Sequence, residues 1–191
     1  MKRSDLEKDA DLILNSIREN DYEIPENKEI IKLALGRLKY VFLLQLLLVI
    51  LDCFLYPEVS NYQYQVSKVL FLIFLSFCTV LFFSFVFLAS IYNSLSMYLI
   101  IKDDVKVNSL LLKLVKQKVS FYGKLLLAIN SIIGFILLFS GEYFIAGLGF
   151  SWFVTYLISM LALQTSLSRY MTPAVVSSLS KVKELLSASP K

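Results

Sequence analysis

The chain has no histidine among its 191 residues. Histidine is the commonest general base, metal ligand and pH switch in proteins, so its absence argues against most hydrolytic and metal-dependent chemistry. The six glycines are scattered and form no phosphate-binding loop, and two cysteines without histidine or a carboxylate cluster cannot build a zinc site. The sequence therefore predicts no catalytic residue, no metal ligand and no cofactor.

Charge is also scarce, and it is missing altogether from long stretches. Only 18% of the residues are charged and 57% are hydrophobic, and the mean hydropathy is +0.68. This composition lies outside the usual range of a soluble domain. The chain is also too short to add a separate water-soluble catalytic domain to a membrane bundle. We therefore expect an all-α polytopic membrane protein.

The apolar stretches predict four transmembrane helices. A span of the hydrocarbon core, about 30 Å thick, needs about 20 apolar residues, with a range of about 17 to 25. The predicted spans cover residues 40–56, 69–95, 121–139 and 143–168. The second apolar block runs uncharged from Val69 to Ile101, which is longer than a bilayer requires, so we expect its helix to continue beyond the lipid. The short turn at residues 140–142 makes the last two spans antiparallel neighbours.

The positions of the cations predict the orientation. Eighteen of the nineteen lysines and arginines lie in residues 1–40, 102–124 and 169–191, and the remaining one is Lys68. Positive charge accumulates on the cytoplasmic side of membrane proteins, so both termini are expected in the cytoplasm of a bacterial inner membrane. The predicted parts are a cytoplasmic helical region at 1–37, a transmembrane domain at 38–168 and a cytoplasmic helix at 169–191.

Amphipathic patterns predict helices in the polar parts of the chain. The first should cover Asp5 to Glu19, with Ser4 and Glu7 as a capping box. Pro25 is placed to begin the next helix, which runs into the first span. The basic loop 102–118 should form a short helix on the inner membrane surface. Thr172 and Pro173 have the pattern of a cap and first position of a closing helix.

Four acidic residues crowd the start of the first helix: Asp5, Glu7, Asp9 and Asp11. Negative charge is favoured there by the helix dipole, so one interpretation is a solvated face. The other interpretation is a docking surface for a cytoplasmic partner protein, because an acidic helix is poorly suited to anionic lipid.

Four polar residues within or beside the spans are further candidates. Asp52 is the one acid inside a span, and it either reaches water near Pro57 or serves as a proton or cation site. Asn93, Asn130 and Gln164, like Gln45 in the first span, could bond across helices, at roughly 0.6 kcal/mol each. Trp152 and Tyr156, toward the interior of the fourth span, are expected in the core of the bundle.

Several function classes are disfavoured by these features. The modest net charge of +4 lies beside membrane segments, so it does not indicate nucleic-acid binding. A transporter would show repeats and several polar groups at mid-depth, which are lacking. An oligomeric channel lined by Ser76, Thr79, Ser84 and Asn93 is left open, as is a homo-oligomer in general, although those residues do not share one helical stripe.

In size and topology the whole chain resembles two groups of small polytopic inner-membrane proteins that plasmids encode. These are the TraS-like entry-exclusion proteins of conjugation systems and the immunity proteins against pore-forming bacteriocins. The resemblance rests on architecture. It implies a non-enzymatic protein that contacts an incoming membrane or translocated protein, through the cytoplasmic helices for exclusion, or through the spans and the outer loop at 57–68 for immunity. The alternative is an accessory subunit of a resident membrane complex.

Overall fold

A computed structural model describes residues 2–18, 25–55, 62–140 and 147–188. These residues form seven α-helices and contain no β-strand. The helices are α1 (Arg3–Arg18), α2 (Asn27–Leu55), α3 (Tyr62–Ile100), α4 (Asp103–Asn108), α5 (Leu110–Ser140), α6 (Leu148–Ser168) and α7 (Pro173–Ala188). The prediction of an all-α chain is confirmed over these ranges.

Four of the helices are long and apolar enough to cross a membrane. The candidate spans are Asn27–Asp52, Ile73–Ile100, Leu110–Ser140 and Leu148–Ser168. In the most apolar 18-residue window of each, only 22% to 33% of the residues are buried inside the protein. Most of each window is therefore open to lipid or to another protein, as expected of helices that use the bilayer as solvent. The predicted turn at 140–142 lies mostly outside the described residues.

Helix boundaries differ from the predictions in several places. Residues 62–68 of the predicted outer loop 57–68 already belong to α3, and the rest of that loop lies outside the described residues. α1 begins at Arg3, and the Lys2 backbone nitrogen donates to Asp5 Oδ2 at 3.2 Å, so Asp5 replaces Glu7 in the capping role and Ser4 is inside the helix. α2 begins two residues after Pro25. The basic segment 102–118 is not one short helix, because α4 ends at Asn108 and α5 then runs unbroken from Leu110.

The chain divides into two compact units. Unit 1 comprises Met1–Ile30, Asn93–Tyr122 and Leu161–Lys191, and unit 2 comprises Ile31–Tyr92 and Gly123–Met160. Each has a hydrophobic core of its own. The polar chemistry of the two units is different.

The core of unit 2 is centred on aromatic side chains from α3 and α6. Trp152 and Tyr156 are buried, as predicted, and pack against Phe83 with ring centroids 5.9 Å and 5.8 Å away. Phe87 adds an edge contact to Tyr156 at 5.4 Å. Aromatic pairs at such spacings each contribute about 0.5–1.5 kcal/mol beyond area burial, so this cluster fixes α3 against α6.

Glycine allows the closest approach in unit 2. A Cβ built on Gly149 would lie 2.5 Å from the backbone carbonyl carbon of Thr79, closer than non-bonded atoms come. The helices can therefore pack at this distance only because residue 149 has no side chain. A Cβ built on Gly134 would likewise come too close to the end of the Leu48 side chain. Small residues at both positions thus allow helices to pack closely, as they commonly do between membrane helices.

The core of unit 1 is built around α1. Its apolar stripe, Leu6, Ala10, Ile13 and Ile17, is buried in one cluster with residues of the other helices. The buried members from elsewhere are Ile101, Leu111, Val175 and Val182. α1 packs along α7 and also touches α4. Since the stripe follows the helical repeat, the sequence alone indicated which face of α1 is buried.

Candidate functional site

The acidic residues of α1 flank its apolar stripe on both edges. At 100° per residue, Asp5 and Asp9 project on one side of the stripe, and Glu7 and Asp11 project on the other. α1 therefore presents carboxylates to helices on both sides of it. The structure places three of them on hydroxyl or amide donors of other segments of unit 1.

Asp9 binds at the N-terminus of α5. Its Oδ2 accepts hydrogen bonds from the hydroxyl of Ser109 at 2.8 Å and from the backbone nitrogen of Leu111 at 2.7 Å. Ser109 is fully buried and caps α5 itself, since its Oγ accepts from the Leu112 nitrogen at 3.1 Å. The first amides of a helix carry partial positive charge, so a carboxylate is the group this site favours.

Glu7 and Asp11 bind along α7. Thr172 caps α7 through a 3.4 Å bond from the Val175 nitrogen, as the sequence predicted, and its hydroxyl donates to Glu7 Oε1 at 3.2 Å. One turn along α1, Asp11 Oδ1 accepts from the buried hydroxyl of Ser178 at 2.7 Å. Two edges of α1 are thus joined to two other helices by acceptors that carry charge.

The pKa of the Glu7 carboxyl is shifted from its ordinary value. Arg3 donates a 2.7 Å hydrogen bond to Glu7 Oε1, and this bond is the main cause that lowers the pKa of Glu7 from 4.5. Partial desolvation opposes the shift, while the bond from Thr172 adds to it. The ionised form is therefore the one that the folded unit stabilises.

The predicted partner-docking role of the four acids stays a prediction, but their surroundings are now specific. Asp5 serves the N-terminus of α1, and the other three bind α5 and α7. A carboxylate engaged in this way can meet an outside partner only if α1 moves or if its remaining lone pairs are used. The hydroxyl partners Ser109 and Ser178 were not identified from sequence. Ser109 could have been, since a serine directly before an apolar helical run is a preferred cap.

Asn130 is the centre of a polar network in unit 2. Its Nδ2 donates to Thr155 Oγ1 at 2.8 Å and its Oδ1 accepts from Ser151 Oγ at 2.8 Å, both on α6. The amide also donates to its own helix at Leu126 O. The prediction that Asn130 bonds across helices is confirmed, and the buried amide joins α5 to α6.

The other three intramembrane candidates lie in different surroundings. Asn93 and Gln164 are exposed on the surface of the described chain. Asp52 is 5% exposed, whereas the sequence favoured contact with water. The physical reason is its position on the α2 surface: Asp52 continues the buried stripe that includes Gln45 and Leu48, so it faces inward despite lying near the helix end. The structure does not bring Asp52, Asn93, Asn130 and Gln164 into one site.

A tyrosine and a serine make a second interhelical bond in unit 2. The hydroxyls of Ser90 on α3 and Tyr156 on α6 are 2.5 Å apart. The sequence predicted core packing for Tyr156 but not this hydroxyl contact. Because Ser90 also donates toward α3 carbonyls, its oxygen is placed to receive the tyrosine proton.

Over the described ranges, no group of three or more cysteine, aspartate and glutamate side chains could hold a metal ion. The thiol of Cys78 is free and exposed. The sequence matches no protein-family model, no curated protein and no solved structure. The two polar arrangements, one in each unit, are therefore the candidate functional features of the described residues.

Proposed function

We propose that the chain is a non-enzymatic, multi-pass protein of a bacterial inner membrane that acts by protein-protein contact. In this proposal it blocks or modulates an incoming transfer or pore-forming machine, as conjugative entry-exclusion and immunity proteins do. Both termini lie in the cytoplasm. The partner is a membrane protein or a protein in translocation.

The membrane part of the proposal is supported by the four long apolar helices and by their open surfaces. Large apolar side chains project outward along them, including Phe74, Phe85, Phe139 and Phe150. Exposed aromatic side chains along these helices are suited to contact with lipid or with a transmembrane helix of a partner protein. The cation distribution supports the orientation, since only Lys68 departs from the three basic segments.

The contact mechanism is supported by one observation above all: polar groups of the described bundle are used in joining helices. Asn130, Ser151 and Thr155 satisfy one another between α5 and α6, and Ser90 pairs with Tyr156. Groups in such mutual bonds fix helix packing, whereas a transport path presents polar groups to the solute that passes. A rigid bundle with an open apolar surface suits binding to another membrane protein.

Photo-crosslinking in living cells tests this proposal. A photoreactive phenylalanine analogue at Phe85, which is 70% exposed, should form adducts with a specific partner protein. The matched control is Phe83, two residues away and 1% exposed, which should give none. Adducts that appear only when a donor cell or a bacteriocin is added favour the blocking function. Adducts that are present in undisturbed cells favour a subunit of a resident complex.

A second experiment addresses function directly. Cells that express the chain are challenged with a panel of conjugative donors and pore-forming bacteriocins, and the transfer frequency or the survival is measured. Protection against one member of the panel is expected. If purified protein in liposomes instead passes ions, the proposal fails in favour of a channel.

A further inference from the structure

The remaining helices of unit 1 hold α1 as a groove holds a ligand. The floor of the groove is apolar and includes Ile101, Leu111, Val175 and Val182. Its two rims carry hydrogen-bond donors: the Ser109 hydroxyl and Leu111 amide on one side, and the Thr172 and Ser178 hydroxyls on the other. The groove thus combines a strip that accepts aliphatic side chains with donors spaced to receive carboxylates.

The groove contacts two features of α1, its aliphatic stripe and its carboxylates, and other helices can carry both. Four aliphatic positions, at i, i+4, i+7 and i+11, fill the floor. Carboxylates at Glu7, Asp9 and Asp11 meet the rims. Any amphipathic helix with this pattern presents the same surface, since helix-in-groove recognition depends on the spacing of anchors along one face.

We propose that the groove formed by α4, α7 and the N-terminus of α5 is a recognition site for an acidic amphipathic helix of a partner protein. In the resting molecule α1 occupies this site in cis, and the partner helix binds by displacing it. The identity of the partner rests on the proposed contact function. The binding of a helix by the groove does not, because purified protein is sufficient to measure it.

Charge complementarity selects this occupant over others. The α5 N-terminus and the rim hydroxyls offer donors, and in the structure they hold carboxylates. A basic helix would place cations against the positive end of α5, which is unfavourable. A lipid surface would supply anionic groups but no continuous aliphatic ridge for the floor. An acidic helix supplies both.

The probe is a fluorescent synthetic peptide of residues 2–18, added to the full-length protein in detergent micelles. A tethered helix has an effective concentration of the order of mM, so wild-type protein should resist the free peptide. The variant Ile13→Asp places a charge at a position that is 2% exposed and should undock α1 from the groove. Leu12→Asp, at a position 49% exposed, is the matched control.

Fluorescence anisotropy should show the peptide binding the Ile13→Asp protein at least tenfold more tightly than wild type, with Leu12→Asp like wild type. On the peptide side, Asp9→Asn should weaken binding about tenfold. Asn15→Lys changes the peptide charge by the same single unit on the exposed face, and it should leave binding nearly unchanged. Circular dichroism and gel filtration verify that each variant is folded and monodisperse.

A second full-length variant keeps the proposal testable if the Ile13→Asp protein misfolds. The full-length variant that combines Asp9→Asn with Asp11→Asn weakens two of the three rim contacts, keeps the one between Glu7 and Thr172, and leaves the floor intact. A folded variant of either kind that takes up no peptide would overturn the proposal, as would equal binding of the Asp9→Asn and Asn15→Lys peptides. If neither variant folds, α1 is an obligatory part of unit 1 and the proposal is also overturned. The partner found by crosslinking at Phe85 would be unaffected by any of these outcomes.

Discussion

Unit 1 and unit 2 are both all-helical, yet they are held together by different polar groups. In unit 1 the bonds between helices end on carboxylates, as at Asp9 and Asp11. In unit 2 the bonds at Asn130 and Tyr156 join neutral amides and hydroxyls, although one carboxyl group, that of Asp52, is also buried there. The proposed topology, with the carboxylates of α1 on the aqueous side and Asn130 within the bilayer, accounts for this difference. A carboxylate is tolerable where its remaining surface can reach water, but it is costly in hydrocarbon, where neutral groups serve instead.

The apolar contacts differ in a parallel way. Unit 1 has a narrow aliphatic stripe on a polar helix, so the sequence pattern of α1 identifies its buried face. The spans of unit 2 are apolar over most of their surface, and close approach at glycine, the aromatic cluster and a few inward polar groups such as Asn130 select which side faces inward. Unit 1 should therefore depend most on specific polar bonds, and unit 2 on shape.

The largest effect is expected from Gly149→Ala in unit 2. The new Cβ would meet the Thr79 backbone, which cannot move aside as a side chain can. We expect a loss of about 3 kcal/mol in the free energy of unfolding, at the upper end of overpacking effects. Denaturation of the purified protein by SDS in mixed micelles measures it.

A graded series of glycines controls this experiment. Gly134→Ala should cost less, because the atoms in its way are the end of the Leu48 side chain. Gly123→Ala meets nothing within 4 Å and should be neutral, or stabilising by about 0.5–1 kcal/mol through reduced backbone entropy. Equal losses at all three positions would show that shape does not determine the packing of unit 2.

Asp9→Ala should give the next largest effect, confined to unit 1. It removes two hydrogen bonds to a charged acceptor and leaves the Ser109 hydroxyl and Leu111 amide without it. A loss of about 2 kcal/mol is expected for the docking of α1. Hydrogen exchange should show faster exchange of α1 amides, with the amides of α6 unchanged. Asn15→Ala, on the exposed face of α1, is the control; a similar response there would point to helix propensity as the cause.

Asn130→Ala tests the neutral network of unit 2. Hydrogen bonds between membrane helices average about 0.6 kcal/mol and reach about 1.7, so a loss of about 1 kcal/mol is expected. Asn93→Ala, at an exposed position, should change nothing measurable. A loss at Asn130 larger than that at Asp9 would contradict the view that unit 1 depends more on its polar bonds. SDS titration of both variants provides the comparison.

The smallest effect is expected from lowering the pH, which protonates the Glu7 carboxyl. Because the folded unit lowers the pKa of Glu7, its ionised carboxyl contributes stability that is fully present above pH 4.5 and is lost as the pH falls through the lowered value. Glu7→Gln should make α1 docking less sensitive to acid, and the change should be small because the Arg3–Glu7 pair is exposed. Hydrogen exchange of α1 at pH 6 and at pH 4 measures it. A variant with unchanged acid sensitivity would exclude Glu7 as a contributor.

Prediction from sequence was most successful where local pattern dominates. The four spans, the buried stripe of α1 and the Thr172 cap all follow from hydropathy, periodicity and residue preference. It failed where the relevant neighbour is distant along the chain. Ser109 is one hundred residues from Asp9, and no local signal pairs them. Asp52 shows a second kind of failure, since its depth suggested water while its position on the buried stripe of α2 placed it inside.

The sequence by itself determined that this chain is helical, apolar enough to cross a membrane four times, and patterned for one acidic amphipathic helix at its start. These properties depend on composition and on the 3.6-residue repeat, which every local segment carries. Only the tertiary structure decided that the carboxylates of α1 accept hydrogen bonds from α5 and from α7 with its capping residue, and that Asn130 joins α5 to α6. Such contacts depend on which distant segments meet, and in spans that are mostly apolar, close packing at Gly149 and the bonds of Asn130 select the faces that meet.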